Sequence, residues 1–444
     1  MTNILFLAHH FPPQGGAGVQ RALKFVKYLP AFGVSPAVLT ASHLKQDRWT
    51  PKDDTMEKEI PDSASVHRVD WPDYRNAAGT DLAQAQEKLI ETGVRIAQEK
   101  RVKAILVSMS PFEDAHLARE IATRTGLPWI ADLRDPWALD EFQVHRTGLH
   151  RALARKRMGR SLEGAASIIM NTPEAAKRLR AAFPLLRQTQ IHSITNGYDQ
   201  EDFLPQASEA SRDKFTIVHA GFLHTRFGFD QRRKSLRYQL LRSTHPGMQA
   251  LSRSHYYLLQ ALANWAQEHP AEANRVELVL AGSLNETDTR TVEDSRVKEL
   301  VRCPGYLNHQ ESVSCIAHAD LLFLPMHTLA RGDRATFVPG KTYEYMATGN
   351  PILAAVPEGD ARDFLAASGL ARICEPNDAK AIQQHLRASY LSWERAEPRP
   401  EPDHKFIAQF ERQHLTEKLA SVLLDVTHRN REPSANSKAA PLTT

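Results

Sequence analysis

Cysteine is scarce in this sequence. The 444 residues include only three cysteines, Cys303, Cys315 and Cys374, and none of them stands in a CxxC pair. An odd number of cysteines at these spacings argues against a disulfide framework and against a cysteine zinc site. The cysteine content therefore fits a reducing compartment, and we expect a cytoplasmic location.

Long apolar runs are also lacking. Runs such as residues 4–8 and 321–325 are far shorter than the roughly 20 residues that span a bilayer. No lysine or arginine precedes the first apolar run, so we expect no secretory signal. With 42% hydrophobic and 24% charged residues, the composition is that of a globular protein. A chain of this length predicts two or three domains.

The formal net charge of +4 is small for the length, but the basic residues are clustered. Two stretches, 146–160 and 226–242, are rich in arginine and lysine. Each is either a solvated helix face or the contact for an electronegative partner, such as anionic lipid headgroups or a diphosphate. For the first stretch we predict a peripheral association with anionic membrane. Nucleic acid is not expected, because no interleaving of aromatic and basic residues and no recognisable nucleic-acid module accompanies the charge.

Strand-like and helix-like segments alternate along the chain. In the first half, apolar runs of strand length lie at 3–8, 35–40, 65–69, 104–108, 129–133 and 167–171. A second series lies at 215–220, 276–281, 321–325 and 351–356. Helical periodicity falls between these runs, and strand, crossover helix, strand is the signature of a parallel sheet. We therefore predict an α/β fold with two doubly wound, Rossmann-like domains facing a central cleft.

The boundaries follow from weak points in the pattern. We expect an N-terminal domain at 1–210 and a C-terminal domain at 211–400, then a helix within 401–428. The polar tail at 429–444 is expected to be disordered. The basic stretch 225–255 is too long for an ordinary strand-to-helix loop. It is either a mobile surface insertion or a lid or acceptor loop.

The loop after the first strand is rich in glycine. Gly15 and Gly16 let the backbone approach a ligand closely, and the following helix offers free N–H groups to an anion. Arg21, one turn into that helix, adds a positive charge. The spacing is not that of the dinucleotide fingerprint. The loop is thus either a diphosphate site or a plain tight turn.

Two further segments carry charged residues at strand or helix ends. In WIADLRDPWALD, Arg134 and Asp135 follow a buried strand, where ligands bind in open α/β sheets, unless they only organise the loop. In VPGKTYEYMATGNP, Lys341 begins a helix and Glu344 lies one turn later on the same side. A lysine there suits phosphate oxygens and a carboxylate suits a ribose diol, but a surface ion pair explains the spacing equally.

Taken in order, these segments resemble a known family. They are FPPQGGAGVQRALKFVKYLPAFGVSPAVLT, GLPWIADLRDPW, SITNGYDQEDF, HAGFL, LVLAGS, HADLLFLPM and VPGKTYEYMATGNPILA. The ordered set is similar to that of the retaining glycosyltransferases of family 4, which have the GT-B fold. The resemblance covers about residues 1–425 without the stretch 225–255. It implies transfer of a sugar from a nucleoside diphosphate donor. It also implies that the domain at 1–210 binds the acceptor, that the domain at 211–400 binds the donor, and that the helix within 401–428 returns to the first domain.

The resemblance also implies roles for individual residues. Gly15 and Gly16 would face the donor diphosphate and sugar, and Glu344 would bind the nucleotide ribose. Lys341 and Arg226, the arginine nearest to the HAGFL strand, would meet the donor phosphates. Gly282, within 281–283, would hold the nucleobase together with residues 305–307.

The sequence departs from the family pattern at two positions. The family places a sugar-binding glutamate eight residues before Glu344, where this chain has Thr336. Sugar contacts would then come from a backbone amide or from one of three charged residues, Arg331, Asp333 and Arg334. The usual catalytic histidine is matched by Arg134. Arginine stabilises a departing diphosphate but accepts no proton, a task left to the leaving phosphate or to one of three side chains, Asp135, His116 and Glu113.

We therefore expect a retaining transferase of a hexosyl or related sugar, with a saccharide or lipid-linked acceptor, in cell-surface polysaccharide or glycoconjugate synthesis. No metal and no cofactor besides the donor substrate are expected, because no DxD motif stands in a suitable loop and basic residues neutralise the diphosphate. Two other readings stay open: a catalytically inactive nucleotide-sugar-binding scaffold, favoured by Thr336 and Arg134, and a nucleotide-sugar epimerase.

Overall fold

The computed structural model describes residues 1–42, 53–72, 74, 79–203 and 213–430. Within these residues the strands form two parallel sheets. The first sheet consists of β1 (Thr2–Ala8), β2 (Val34–Ala41), β3 (Ser65–Val69), β4 (Ala104–Met109), β5 (Trp129–Leu133), β6 (Ser167–Met170) and β7 (Gln190–Ser193). The second consists of β8 (Phe215–Ala220), β9 (Val276–Ala281), β10 (Val301–Gly305), β11 (Leu321–Pro325), β12 (Ile352–Ala355) and β13 (Ala371–Cys374).

Helices connect the strands and cover both faces of each sheet. The first half contains α1 (Ala17–Tyr28), α2 (Gly79–Glu99), α3 (Asp114–Thr125), α4 (Gly148–Leu162) and α5 (Pro173–Ala182). The second half contains α6 (Thr225–Arg233), α7 (Ser235–Leu240), α8 (Tyr256–Glu268), α9 (Pro270–Ala273), α10 (Glu286–Glu293), α11 (His309–Ala317), α12 (Gly340–Thr348), α13 (Asp360–Ala367), α14 (Ala379–Glu394), α15 (His404–Ala408) and α16 (Arg412–Arg429). The predicted α/β fold of two doubly wound domains is confirmed.

Strand order places a ligand crevice in each sheet. The orders are β3-β2-β1-β4-β5-β6-β7 and β10-β9-β8-β11-β12-β13, with parallel pairing throughout. The winding reverses between β1 and β4 in the first sheet and between β8 and β11 in the second. Ligands of open α/β sheets bind at such switch points, outside the carboxyl ends of the strands. The loops after β1, β4, β8 and β11 are therefore the places to look for a site.

Alternating side chains of the central strands fill both faces of each sheet. In β1, Leu5 and Leu7 enter the core on one face, whereas Ile4 and Phe6 enter the core on the other. All four are buried, as parallel strands covered by helices on both sides require. Burial on both faces explains why these strands read as continuous apolar runs in the sequence.

Three strands were missed by the sequence patterns. β7, β10 and β13 lie at sheet edges, and their side chains are partly exposed. An edge strand has a neighbour on only one side and needs no continuous apolar run, so its sequence resembles a loop. The other edge strand, β3, was predicted, and its Val66 and Val69 pack against the cores on opposite faces of the sheet.

The end of the described chain passes from the second domain back to the first. The single helix predicted within 401–428 is two helices, because the helix is broken between α15 and α16. Ile407 and Phe410 pack in the core of the second domain, whereas Leu415 and Leu419 of α16 pack against the first. The break is where the chain passes from one core to the other. Of the predicted tail at 429–444, residues 431–444 lie outside the described residues.

The stretch 225–255 is not an extended loop. It contains α6 and α7, and its ends, Thr225 and His255, are buried. Gly228 of α6 lies so close to Leu251 that an added Cβ would come within 2.4 Å of the Leu251 Cα atom. The expected surface insertion is therefore packed into the second domain at both ends. No helix among the described residues is long and apolar enough to cross a membrane.

Candidate active site between the two sheets

The carboxyl ends of the two sheets face each other. Thr172 follows β6, and its hydroxyl donates a hydrogen bond of 2.7 Å to the carbonyl of Thr336, which lies beyond β11. Close by, the N–H group of Glu174 donates to Asp360, over 2.7 Å. These contacts join the carboxyl edges of the two sheets, so the loops after β1 and β8 line a common cleft.

The N-terminal wall of the cleft is the loop that leads into α1. Gly15 is buried, and Gly16 caps the helix with φ at 90°, in the region that favours glycine. No side chain caps α1, and no acidic residue stands in its first turn. The positive end of the helix dipole is therefore left without a side-chain anion, as at helix N-termini that bind phosphate.

Arg134 and Asp135 follow β5 and lie beside this helix. The Arg134 guanidinium donates to the carbonyl of Gly18, and an added Cβ on Gly18 would lie 3.0 Å from one of its nitrogens. Burial lowers the pKa of Arg134, although Asp135 and Asp132 oppose the shift. Asp135 itself is exposed. The structure thus brings Arg134 to the first turn of α1, where it is positioned to face an anion.

Two other candidates point elsewhere. His116 lies on the exposed side of α3, with its Nδ1 3.9 Å from Glu120 of the same helix. Arg21 is buried and donates to both carboxylate oxygens of Asp132, at 2.7 and 2.9 Å, and to the carbonyl of Thr195, at 2.8 Å. Arg21 therefore holds α1 against the first sheet and is not available to a ligand. His116 sits in a helix-surface pair.

On the opposite wall, three loops of the second domain converge. Gly221 after β8 has φ at 120°, and an added Cβ there would come within 2.7 Å of the Lys341 ammonium nitrogen. Gly282 after β9 has φ at 136°, and its added Cβ would lie 2.8 Å from the Gly221 carbonyl oxygen. Both positions need glycine for conformation and for space. The predicted donor residues Gly282 and Lys341 are thus neighbours.

His219 holds Lys341 in place. Its Nδ1 lies 3.0 Å from the carbonyl oxygen of Phe323, which only accepts, so Nδ1 carries the proton and donates. The unprotonated Nε2 then accepts from the Lys341 ammonium group over 3.2 Å. Burial and the charge of Lys341 keep the pKa of His219 well below its usual value. A neutral histidine therefore fixes the position of a partly buried cation.

The surroundings of Lys341 stabilise its positive charge only weakly. Burial, together with the positive charge of Arg253, lowers the pKa of Lys341 to about 7, and Glu344 opposes this shift. An isolated lysine is fully protonated at neutral pH. Any anion that enters the cleft would stabilise the protonated form, so the site is prepared for negative charge.

The arginine beside Lys341 is Arg253, not the predicted Arg226. Arg226 is exposed on α6. The Arg253 guanidinium packs over the ring of Phe337, 4.4 Å from its centroid, and over that of Phe142, at 5.1 Å. Burial lowers the pKa of Arg253 to about 10. Within the stretch 225–255, the arginine that lies beside Lys341 is therefore the one near the end and not the one near the start.

Thr336 does not offer its side chain to the cleft. It is fully buried, and its N–H group donates 2.9 Å to Glu141 of the first domain while its hydroxyl donates to the other carboxylate oxygen. The Nε2 atom of His327 lies 3.3 Å from the same carboxylate. Burial alone would raise the pKa of Glu141, but His327 and Thr336 outweigh it and bring the pKa to about 2. The expected donor contact of Thr336 is replaced by an interdomain contact.

Replacing Glu141 by glutamine is expected to destabilise the protein at neutral pH by about 3 kcal/mol. This free energy follows from the pKa of Glu141, which is about 2 in the folded protein and 4.5 in the unfolded chain. Because the folded pKa is the lower one, this stability is complete above pH 4.5 and is lost as the pH falls towards 2. Urea unfolding at pH 7 and pH 3 measures the difference, which should shrink by half or more at pH 3. Glu163→Gln, at an exposed site, is the control. An equal loss at both pH values would contradict the prediction.

Glu344 of α12 lies near the junction of the two domains. It is partly exposed. The hydrogen bond that His309 donates to Asp202, together with the charge of Glu344, raises the pKa of His309 against the opposing effect of burial. His309 Nε2 is 2.9 Å from Asp202, and its Nδ1 is 3.1 Å from the side-chain amide of Gln20 in α1. The Glu344 carboxylate thus lies near the first helix as well as near Lys341.

Sequence patterns missed three functional side chains, His219, Arg253 and Glu141. His219 stands in the HAGFL segment, and a histidine at the end of a buried strand is a usable signal. Arg253 is one of many arginines in its region, and Glu141 gives no pattern at all. Together, Lys341, Arg253 and the two glycine loops offer two cations and close backbone approach, which suits a diphosphate.

Two protein-family models match the chain in order. The model described as "Glycosyl transferase 4-like domain" matches residues 15–197, and the one described as "Glycosyl transferases group 1" matches residues 247–390. Together they cover about three quarters of the chain, one on each sheet. A comparison with curated proteins found no matching sequence.

Solved structures share the fold over nearly the whole chain. Sucrose-phosphate synthase from Thermosynechococcus elongatus is 14% identical, with 97% of this chain and 100% of that chain covered and a TM-score of 0.66. HepE from Anabaena, in complex with UDP and glucose, is 15% identical, with 97% and 98% covered and a TM-score of 0.55. The lipopolysaccharide outer core galactosyltransferase WaaB is 12% identical, with 96% and 99% covered and a TM-score of 0.57.

The class of the protein follows from the fold. Two doubly wound domains whose carboxyl ends face one cleft have the GT-B architecture of glycosyltransferases. Since both family models lie on this architecture in the expected order, the chain belongs to the family 4-type GT-B glycosyltransferases.

Proposed function

We propose that this protein transfers a hexosyl or related sugar from a nucleoside diphosphate sugar to a saccharide or lipid-linked acceptor, with retention and without a metal ion. Its place would be cell-surface polysaccharide or glycoconjugate synthesis at the cytoplasmic side. The observation that carries this proposal is the position of Lys341 and Arg253 beside two close glycine loops at the switch point of the second sheet.

In the reaction, the bond between the sugar C1 and the diphosphate oxygen breaks, and a bond from the acceptor oxygen to C1 forms. Lys341 and Arg253 would stabilise the charge that develops on the leaving diphosphate, and Arg134 would do so from the other wall. Glu344 would accept hydrogen bonds from the ribose hydroxyls, and Gly15 with Gly16 would let the α1 N-terminus approach the donor.

The acceptor proton needs a base or the leaving phosphate. Asp140 is better placed than His116, because it lies in the same loop as Arg134 and in the field of Arg253. Burial and the charge of Glu141 raise the pKa of Asp140 to about 7, and the N–H group of Phe142 donates to it over 2.8 Å. A carboxylate with a pKa near the working pH is suited to general base catalysis.

A screen of nucleoside diphosphate sugars tests the proposal. One donor at 100 times its dissociation constant should stabilise the protein by about 2.7 kcal/mol in thermal unfolding and should release its sugar to an acceptor. Glu344→Ala should abolish that stabilisation, whereas Glu299→Ala, at an exposed site, should preserve it.

Three results would contradict a transferase. Stabilisation by a donor without transfer to any acceptor favours the inactive scaffold. Formation of an epimerised donor with no acceptor present favours the epimerase. Stabilisation by no donor at all overturns the proposed site.

A further inference from the structure

Four leucines are exposed on two neighbouring helices. Leu149 and Leu153 of α4 are 68% and 55% exposed, and Leu236 and Leu240 of α7 are 70% and 76% exposed. Most other leucines in the described chain are buried in the cores of the two sheets. Full burial of a leucine is worth about 1.5–3 kcal/mol, so a cluster of four in water marks a surface that has a partner.

On α4, the exposed leucines share a face with basic residues. Leu149, Leu153, Lys156 and Arg160 follow one another at intervals of four, three and four residues, which places them on one side of the helix. Met158, on the opposite side, is buried. The outer face of α4 therefore begins apolar and continues basic.

The two helices meet end to end across the domain boundary. The N–H group of Gly148, at the start of α4, donates 2.9 Å to the carbonyl of Leu241 just after α7. The N–H group of His145 donates 2.8 Å to the carbonyl of Ser243. Leu149 is adjacent to Gly148 and Leu240 is adjacent to Leu241, the two residues that this first hydrogen bond joins. The exposed leucines of both helices therefore form one surface. We call it the leucine surface, and it consists of Leu149, Leu153, Leu236 and Leu240.

The two stretches that carry the leucine surface are strongly basic. Residues 144–162 contain no acidic residue, and residues 225–242 contain one, Asp230, which pairs with Arg233 at 2.7 Å. A second copy of this chain would bring the same positive charge against it and would be repelled. Anionic lipid offers both a complementary charge and an apolar interior.

We propose that the leucine surface docks on an anionic lipid bilayer, with the four leucines inserted below the headgroups. The inference deepens the proposed function, on which it rests, because it makes the acceptor a lipid-linked one. The stretch 225–255, which carries α7, starts after the Gly221 loop and includes Arg253 near its end, and the loop before α4 carries Asp135. A docked enzyme would therefore open its cleft beside the membrane. The sequence predicted a membrane contact for the basic stretch 146–160 alone, whereas the docking surface spans both domains.

Co-sedimentation with vesicles tests the surface. The full chain should pellet with vesicles of phosphatidylcholine and phosphatidylglycerol (7:3) and should stay in solution with phosphatidylcholine alone. Leu236→Ser/Leu240→Ser should lower the partition coefficient at least tenfold, as should Leu149→Ser/Leu153→Ser. The matched control is Leu185→Ser, which should leave the partition coefficient unchanged. Leu185 is 55% exposed, like Leu153, but it lies beside the buried Gly159 of α4 and outside the leucine surface.

The outcomes separate the membrane proposal from the proposed function. Partition of the leucine variants equal to that of wild type overturns the docking surface, as does equal binding to neutral vesicles. A wild-type dimer in light scattering that the leucine substitutions dissociate would assign the surface to self-association instead. Donor stabilisation in thermal unfolding is measured on the same variants. If a variant loses vesicle binding but is still stabilised by the donor, the proposed function stands and only membrane docking is affected. If no donor stabilises the wild-type protein, the proposed function is overturned, whatever the vesicle result.

Discussion

Replacing Lys341 by methionine is expected to lower kcat/KM for sugar transfer about 10³-fold, the cost of removing one preorganised donor to a developing negative charge. The ammonium group lies against the Gly221 loop and is fixed by His219 at 3.2 Å. Methionine preserves length and packing but carries no charge. Initial rates of donor consumption with a fixed acceptor, for both proteins at pH 6.5, measure the effect.

The pH dependence of the wild type provides an independent test. The pKa of Lys341 in the ligand-free protein is about 7, so the free enzyme loses its positive charge as the pH rises above 7. Wild-type kcat/KM should therefore decline towards high pH, and this limb should be absent from the Lys341→Met profile. The bound diphosphate should raise the pKa again, so that donor binding at pH 8 takes up protons.

Stability should change in the opposite direction to activity. The folded pKa of Lys341 lies below the 10.5 of a free lysine, so the charged side chain opposes folding below pH 7, and the cost fades as the pH rises towards 10.5. Lys341→Met should then raise Tm at neutral pH. Lys380→Met, at an exposed position of α14, should change neither activity nor Tm. A variant that is inactive and also less stable would contradict this account.

Arg253→Ala is expected to lower kcat/KM by more than 10²-fold, while Arg226→Ala leaves it within twofold. Both arginines lie in the stretch 225–255, but Arg253 packs over Phe337 and Phe142 beside Lys341, whereas Arg226 is exposed. The loss should come mainly from transition-state stabilisation of the leaving diphosphate, and so should reduce kcat as well as donor affinity.

The pair is its own control, because the two variants remove the same side chain from the same segment. Steady-state rates across donor concentrations separate kcat from KM, and thermal unfolding verifies that both variants fold. Equal losses in the two variants would contradict the assignment. A larger loss in Arg226→Ala would return the phosphate contact to the residue that sequence resemblance favoured.

Much of the fold was predictable from local patterns. The central strands read as apolar runs because both of their faces are covered. Lys341 and Glu344 could be placed on one side of a helix because residues three apart are neighbours on a helix surface. The edge strands β7, β10 and β13 could not be read in this way, because half-exposed strands carry no continuous apolar signal.

The site was predictable only in part, and the misplaced residues share a cause. Arg21, Arg226 and Thr336 were candidates because of their distance along the chain from a motif. Arg21 points into the first domain towards Asp132, and Thr336 bonds to Glu141, which is 195 residues away in the sequence. Long-range partners of this kind leave no trace in local spacing.

The sequence by itself determined the two parallel sheets, their order along the chain and the glycine and charged residues at the strand ends, since burial and backbone conformation act on near neighbours. Only the tertiary structure decided which cations meet in the cleft. It brought Arg253 to Lys341, joined Glu141 to Thr336 and placed the leucines of α4 and α7 on one surface. The physical reason is that electrostatic and packing contacts depend on distance in space. Because this chain crosses twice between two domains, residues that meet in space can be far apart along the sequence, and their separation along the chain does not reveal the contact.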